Sequence, residues 1–104
     1  MNSSIKTRAR DLLNVILPAS SYLEKTGTYT NTDRRVQLGR PVLDPPGDAR
    51  QDWEILCEVS RRVGLESDYQ SVSDVFDEFT SLTSNYQGLT HQLLGDTGRL
   101  WPCA

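Results

Sequence analysis

The residues able to do chemistry are few. His91 is the only histidine. A Ser-His-Asp arrangement or a metal site built on it needs partners at supporting spacing, and none stands out. It reads as a surface residue. Cys57 falls on the apolar face of a predicted helix and reads as a buried, inert thiol; Cys103, near the end of the chain, is an equally weak nucleophile. The two are too far apart for a metal motif, and two cysteines make no disulfide framework. Asp74, Asp77 and Glu78 have the spacing of a wet helix face. Neither G-x-G-x-x-G nor a P-loop is present. One stretch is unusual: in GTYTNTDRRVQ, Gly27 to Gln37, strand-forming residues run into a corner holding Asn31, Asp33, Arg34 and Arg35. From composition alone this corner is a solvated turn.

The elements that must position these groups are uneven. Val15-Ile16-Leu17, stopped by Pro18, reads as a short buried strand. Tyr22 to Arg40 is strand-prone but irregular, and Pro41, Pro45, Pro46 and Gly47 mark an extended connector. A helix follows. Asp48 and Gln51 have the form of a capping box, and Asp52 in the first turn suits the helix dipole. Trp53, Leu56, Cys57 and Val63 share one face, widened by Ile55 and Val59; Glu58 and Arg62 pair on the wet side. Gly64 is the natural terminator. A second helix starts at Ser71 with Asp74 as its box and carries the stripe Val72, Val75, Phe76 and Phe79. Asn85 to Gly88 is a turn. Leu89, Leu93 and Leu94 suggest a short third helix ended by Gly95, and the tail from Gly98 has no helix or strand to close it. The fold class is mixed α/β: a short buried strand, an irregular extended connector, then two to three helices.

Length and charge narrow the function. A chain of 104 residues is enough for one small domain. A net charge of −3 argues against a nucleic-acid partner. No apolar run is long enough to span a membrane, and the basic N-terminus lacks the apolar core of a secretory signal. A cytoplasmic location is the expectation.

From Val15 to Gly64 the chain reads NVILPASSYLEKTGTYTNTDRRVQLGRPVLDPPGDARQDWEILCEVSRRVG. This closely resembles the molybdopterin-dependent oxidoreductase pattern A-D-V-V-L-P-A-A-S-x-x-E-K-x-G-T-F-T-N-x-E-R-R-V-Q, followed by P-G-E-A-R-x-D-W-x-I. Beyond Gly64, SNYQGLTHQLLGDTGRLWPC is similar to the formate dehydrogenase pattern S-Y-x-G-I-T-x-x-x-L-x-x-x-G-x-Q-W-P-C. The nearest likeness is to the formate dehydrogenase alpha, or catalytic, subunit. Residues 15–104 are then a partial segment of a larger multidomain α/β enzyme, with 15–47 as cofactor cradle and connector and 48–104 as the helical part. Residues 1–14 match poorly, and Asn14 stands where the family has Asp.

The resemblance implies a molybdopterin guanine dinucleotide cofactor with molybdenum or tungsten, and formate oxidation to CO2 as the parent reaction. It implies that Lys25, matching the Lys of E-K-x-G, and Asp52, matching the Asp of G-E-A-R-x-D, contact the cofactor. A carboxylate can accept two hydrogen bonds from the donor edge of guanine, and an ammonium can meet phosphate oxygens. It also implies that the corner with Asn31 and Arg34 lies beside the cofactor. The family's cysteine motif for a [4Fe–4S] cluster and its metal-ligating segment have no counterpart here. No catalytic or metal-ligating residue is therefore assigned, and the chain alone is expected to be inactive. The implied partners are the remaining parts of the catalytic subunit or a complementary chain, and electron-transfer subunits. Alternatives are a non-catalytic cofactor-binding module, a subunit of a split enzyme, or a segment of a nitrate reductase-type relative.

Overall fold

The computed structural model describes residues 13–102. Its centre is a three-stranded antiparallel sheet in the order β1-β2-β3. β1 (Gly27–Thr30) and β2 (Arg35–Gly39) form a hairpin with Gly27 opposite Gly39 and Thr30 opposite Val36. β3 (Arg99–Leu100) joins the other edge of β2, opposite Val36 and Arg35. The polar corner is the hairpin turn. Asn31 Oδ1 accepts from the backbone N–H of Asp33 at 3.2 Å and of Arg35 at 3.0 Å, the local bonding that suits Asn to turns. Arg34 completes the reversal with φ of 68°.

Three helices follow β2. α1 spans Asp52–Arg62, α2 Val72–Leu82 and α3, a single turn, His91–Leu94. Glu54 at the head of α1 accepts from the Gln51 N–H at 3.2 Å. The start is thus Gln51 with Glu54, three residues beyond the expected Asp48 box. Gly64, with φ of 85°, closes α1: its N–H reaches Arg61 O at 3.2 Å and the Leu65 N–H reaches Ser60 O at 2.9 Å. That pair of bonds is a Schellman motif. α2 opens on the expected box. Ser71 Oγ accepts from the Asp74 N–H at 3.3 Å while Asp74 Oδ2 accepts from those of Gln70 and Ser71 at 2.8 and 2.9 Å. These bonds, that from Gln70 foremost, hold the Asp74 carboxyl below its usual range. A 3-10 turn, Ser84–Tyr86, leads to α3, which Gly95 ends as expected.

The core joins β2, α2 and α3. Val36, Phe76, Leu89 and Leu94 are buried together, with Leu38, Tyr86 and Trp101 packed against them. β3 reaches this core because Gly98 lets the chain pass close by: a Cβ there would run into the Val36 carbonyl, and φ is 69°. α1 stands apart. Its buried residue is Cys57, as expected, whereas Leu56 and Val63 are 65% and 69% exposed.

The mixed α/β class holds, with three corrections. Val15–Leu17 is not a buried strand: Val15 is 71% exposed, and this approach pairs only once, through a parallel bridge between Ala19 and Arg50. Pro18 lacks an N–H, and no described strand lies alongside to extend the ladder. The stretch Tyr22 to Arg40, expected to be strand-prone but irregular, contains a regular hairpin. The tail, supposed to be without a strand, supplies β3. Cys103 lies outside the described residues, as do residues 1–12.

Candidate functional site

The two residues singled out by the family motifs meet. Lys25 sits just before β1 and Asp52 is the first residue of α1, and Lys25 Nζ donates to Asp52 Oδ2. The fold makes this contact in two steps. The segment before β1 runs beside the approach to α1, with the Ser20 N–H on Arg50 O at 2.9 Å and the Arg50 N–H on Pro18 O at 3.2 Å. β1 then leaves from this point, carrying Lys25 at its base. The pair is partly open to solvent, with the Lys25 side chain 26% and that of Asp52 53% exposed. A bound group can therefore reach both.

The segments that carry this pair also hold polar atoms without partners. Ser20 is buried, and its Oγ, like Trp53 Nε1, makes no hydrogen bond. A buried polar group left unpaired costs about 1–3 kcal/mol. Both atoms have capacity left for a polar ligand or for further polypeptide. The donor set suits a nucleotide-bearing cofactor: a carboxylate for N–H donors and an ammonium for phosphate oxygens.

Asn31 and Arg34 lie at the opposite end of β1 from Lys25, so the four residues do not form one cluster. The Asn31 carbonyl is occupied by the turn. Asp33 Oδ1 accepts from the Arg35 N–H at 3.1 Å, and Arg35 Nη1 reaches Thr97 O at 3.2 Å. Arg34 makes no ion pair among the described residues. Its guanidinium lies 5.8 Å from the centre of the Trp101 ring. Trp101 was missed from sequence, because its position depends on a two-residue strand that carries no periodic signal.

Beyond this site, Glu58 on α1 accepts from Arg50 Nη1 at 2.8 Å and Arg62 Nη2 at 2.5 Å. These bonds, Arg50 first, pull its carboxyl down to about 2. The triad edges a groove of about 450 Å³ between residues 15–18 and α1, with Val15, Leu17, Ile55 and Val59 as apolar walls. His91 is a packing residue rather than a surface one: its ring is 5.1 Å from that of Phe76, and burial lowers its pKa despite the opposing pull of Asp77. Among the described residues no His, Cys, Asp or Glu cluster could hold a metal ion, and no helix is long and apolar enough to cross a membrane.

The molybdopterin oxidoreductase family model matches residues 3–62, more than half of the chain, and the chain belongs to that family. Among its relatives, the F420-dependent formate dehydrogenase subunit alpha of Methanocaldococcus jannaschii is 41% identical over 99 residues, covering 93% of this chain and 15% of the relative. The F420-dependent formate dehydrogenase 2 subunit alpha of Methanococcus maripaludis is 39% identical with the same coverage. A nitrate reductase of Synechocystis sp. is 40% identical over 104 residues, again 93% of this chain and 15% of the relative. The chain thus spans about 15% of the length of these relatives. It matches a short segment of these much longer relatives.

Proposed function

We propose that the chain forms part of the molybdopterin guanine dinucleotide site of a formate dehydrogenase-like catalytic subunit. The observation that carries this reading is the meeting of Lys25 and Asp52, far apart in sequence, as an ion pair partly open to solvent. In this reading Asp52 accepts the N–H donors of the guanine edge, and Lys25 fixes the carboxylate while offering its remaining donors to phosphate. Asn31 shapes the turn, and Arg34 contributes a cation at the far end of the hairpin. The bound pterin, with molybdenum or tungsten, supplies the two-electron redox chemistry that takes formate to CO2. This chain's residues bind and orient it, while the [4Fe–4S] cluster of the parent takes its ligands from elsewhere. The rest of the catalytic subunit, or a complementary chain, covers the segment, electron-transfer subunits receive the electrons, and the assembly is cytoplasmic. A nitrate reductase-type parent is the second reading, favoured by the Synechocystis relative.

Co-expression with the neighbouring reading frames, followed by metal and pterin analysis, tests this. The expected result is a co-purified assembly holding pterin with molybdenum or tungsten and oxidising formate, while the chain alone turns over no formate. An assembly that keeps its full pterin content when residues 15–62 are deleted contradicts the reading.

A further inference from the structure

Arg34, which completes the hairpin turn, combines three features that bear on binding. Its backbone occupies the left-handed region, with φ of 68°, a conformation that non-glycine residues adopt sparingly and that gathers at functional sites. Its guanidinium has no carboxylate partner among the described residues, although neighbouring Arg35 pairs with Asp33 at 3.9 Å and Arg40 with Asp96 at 2.8 Å. It lies over Trp101 at 5.8 Å from the ring centre, within cation–π range.

Trp101 is itself fixed from two directions. Its backbone N–H donates to Arg34 O at 3.0 Å, and its ring stacks on Tyr86 with centres 5.5 Å apart. Tyr86 in turn meets the Phe79 ring at 5.0 Å, and its hydroxyl lies 3.3 Å from Thr30 Oγ1. The guanidinium therefore rests on an aromatic platform anchored to α2 and to β1. An arginine on a fixed aromatic face keeps its N–H edge free, and that edge suits the oxygens of a phosphate or carboxylate.

We propose that Arg34 is an oxyanion-binding residue and Trp101 its positioning residue, the aromatic face holding the guanidinium so that its N–H edge meets a diphosphate or a small carboxylate. The diphosphate form rests on the cofactor-cradle reading above; the carboxylate form does not. The two ends of the hairpin are then separate sites, with Lys25 and Asp52 at one and Arg34 at the other.

The test is nuclear magnetic resonance on the full nitrogen-15-labelled chain, titrated with inorganic pyrophosphate and, separately, with formate. The Arg34 and Arg35 amides report one end, and the Trp53 indole N–H, beside Asp52, reports the other. Pyrophosphate is expected to shift the Arg34 and Arg35 amides saturably. Arg34→Gly, which suits the left-handed backbone, should weaken this at least about tenfold, the loss of a charge-assisted contact. Trp101→Leu should weaken it about 2- to 5-fold and Trp101→Phe less, because Phe keeps an aromatic face. A purely structural Trp101 would give equal affinity in Trp101→Phe, Trp101→Leu and the parent chain, and that result overturns the inference, as does the absence of any saturable shift at Arg34. Formate binding the same amides more tightly than pyrophosphate assigns the site to a free carboxylate. An Arg34 response without any Lys25- or Asp52-dependent response at Trp53 leaves this inference standing and counts against the cofactor cradle.

Discussion

The sheet side of the molecule and α1 are built from similar residues but are finished differently. Around β2, α2 and α3 the apolar side chains close on one another, and Val36, Leu89 and Leu94 are almost wholly inaccessible. α1 also carries an apolar stripe, yet Leu56 and Val63 face outward and Val59 lines an open groove. Both α1 and α2 open on a capping box, so their N-terminal signals do not distinguish them. What distinguishes them is cover. A segment spanning about 15% of its relatives' length can complete one small core and still leave the face of a helix that longer relatives have chain enough to cover. The candidate cofactor contact sits at the seam, where the uncovered helix begins.

The largest effect should separate the two regions outright. Leu94→Ala removes a fully buried side chain and should cost about 2–5 kcal/mol, whereas Leu56→Ala, on the exposed stripe, should stay within about 0.5 kcal/mol. Chemical denaturation of both variants checks this, and equal losses would mean that α1 is as well packed as the sheet side. Gly98→Ala comes next. The added Cβ meets the Val36 carbonyl in a left-handed backbone, so β3 should detach from β2 at a cost of about 1–3 kcal/mol. Loss of amide-exchange protection at Trp101, whose N–H donates to Arg34 O, with α1 unchanged, is the signature.

The smallest effect is a pH dependence confined to the sheet side. Burial depresses the His91 pKa, so the unfolded chain takes up protons first as pH falls. His91 therefore costs nothing above the ordinary histidine value of about 6.5, and stability declines below it until the folded form is protonated too. The thermal midpoint should fall between about pH 7 and 5, and His91→Phe should flatten that slope.

Much of the local structure was legible in sequence because it depends on neighbours in the chain. Ser71 with Asp74, Gly64 and Gly95 act over a few residues, and each does what its type predicts. The hairpin was not legible, because its left-handed position holds Arg34 instead of the glycine or asparagine that usually marks such a turn. β3 was invisible for another reason: two residues have no period, and only the passage past Gly98 brings them to β2. Val15–Leu17 misled because an apolar run reports a surface needing cover, not the element that covers it. Lys25 and Asp52 were singled out by family motifs alone; their contact is a property of the fold.

That contact is the central claim, and cofactor retention tests it most directly. Lys25→Ala and Asp52→Ala, introduced in the assembled catalytic subunit, should each lower pterin per protein, with affinity falling about 10- to 150-fold for a lost charge-assisted hydrogen bond of roughly 1.5–3 kcal/mol. Thermal stability of the cofactor-free protein should change by no more than about 1 kcal/mol, the range of an exposed ion pair. Unchanged pterin content in both variants would contradict the account and leave Asp52 as the first residue of a helix and Lys25 as its ion-pair partner.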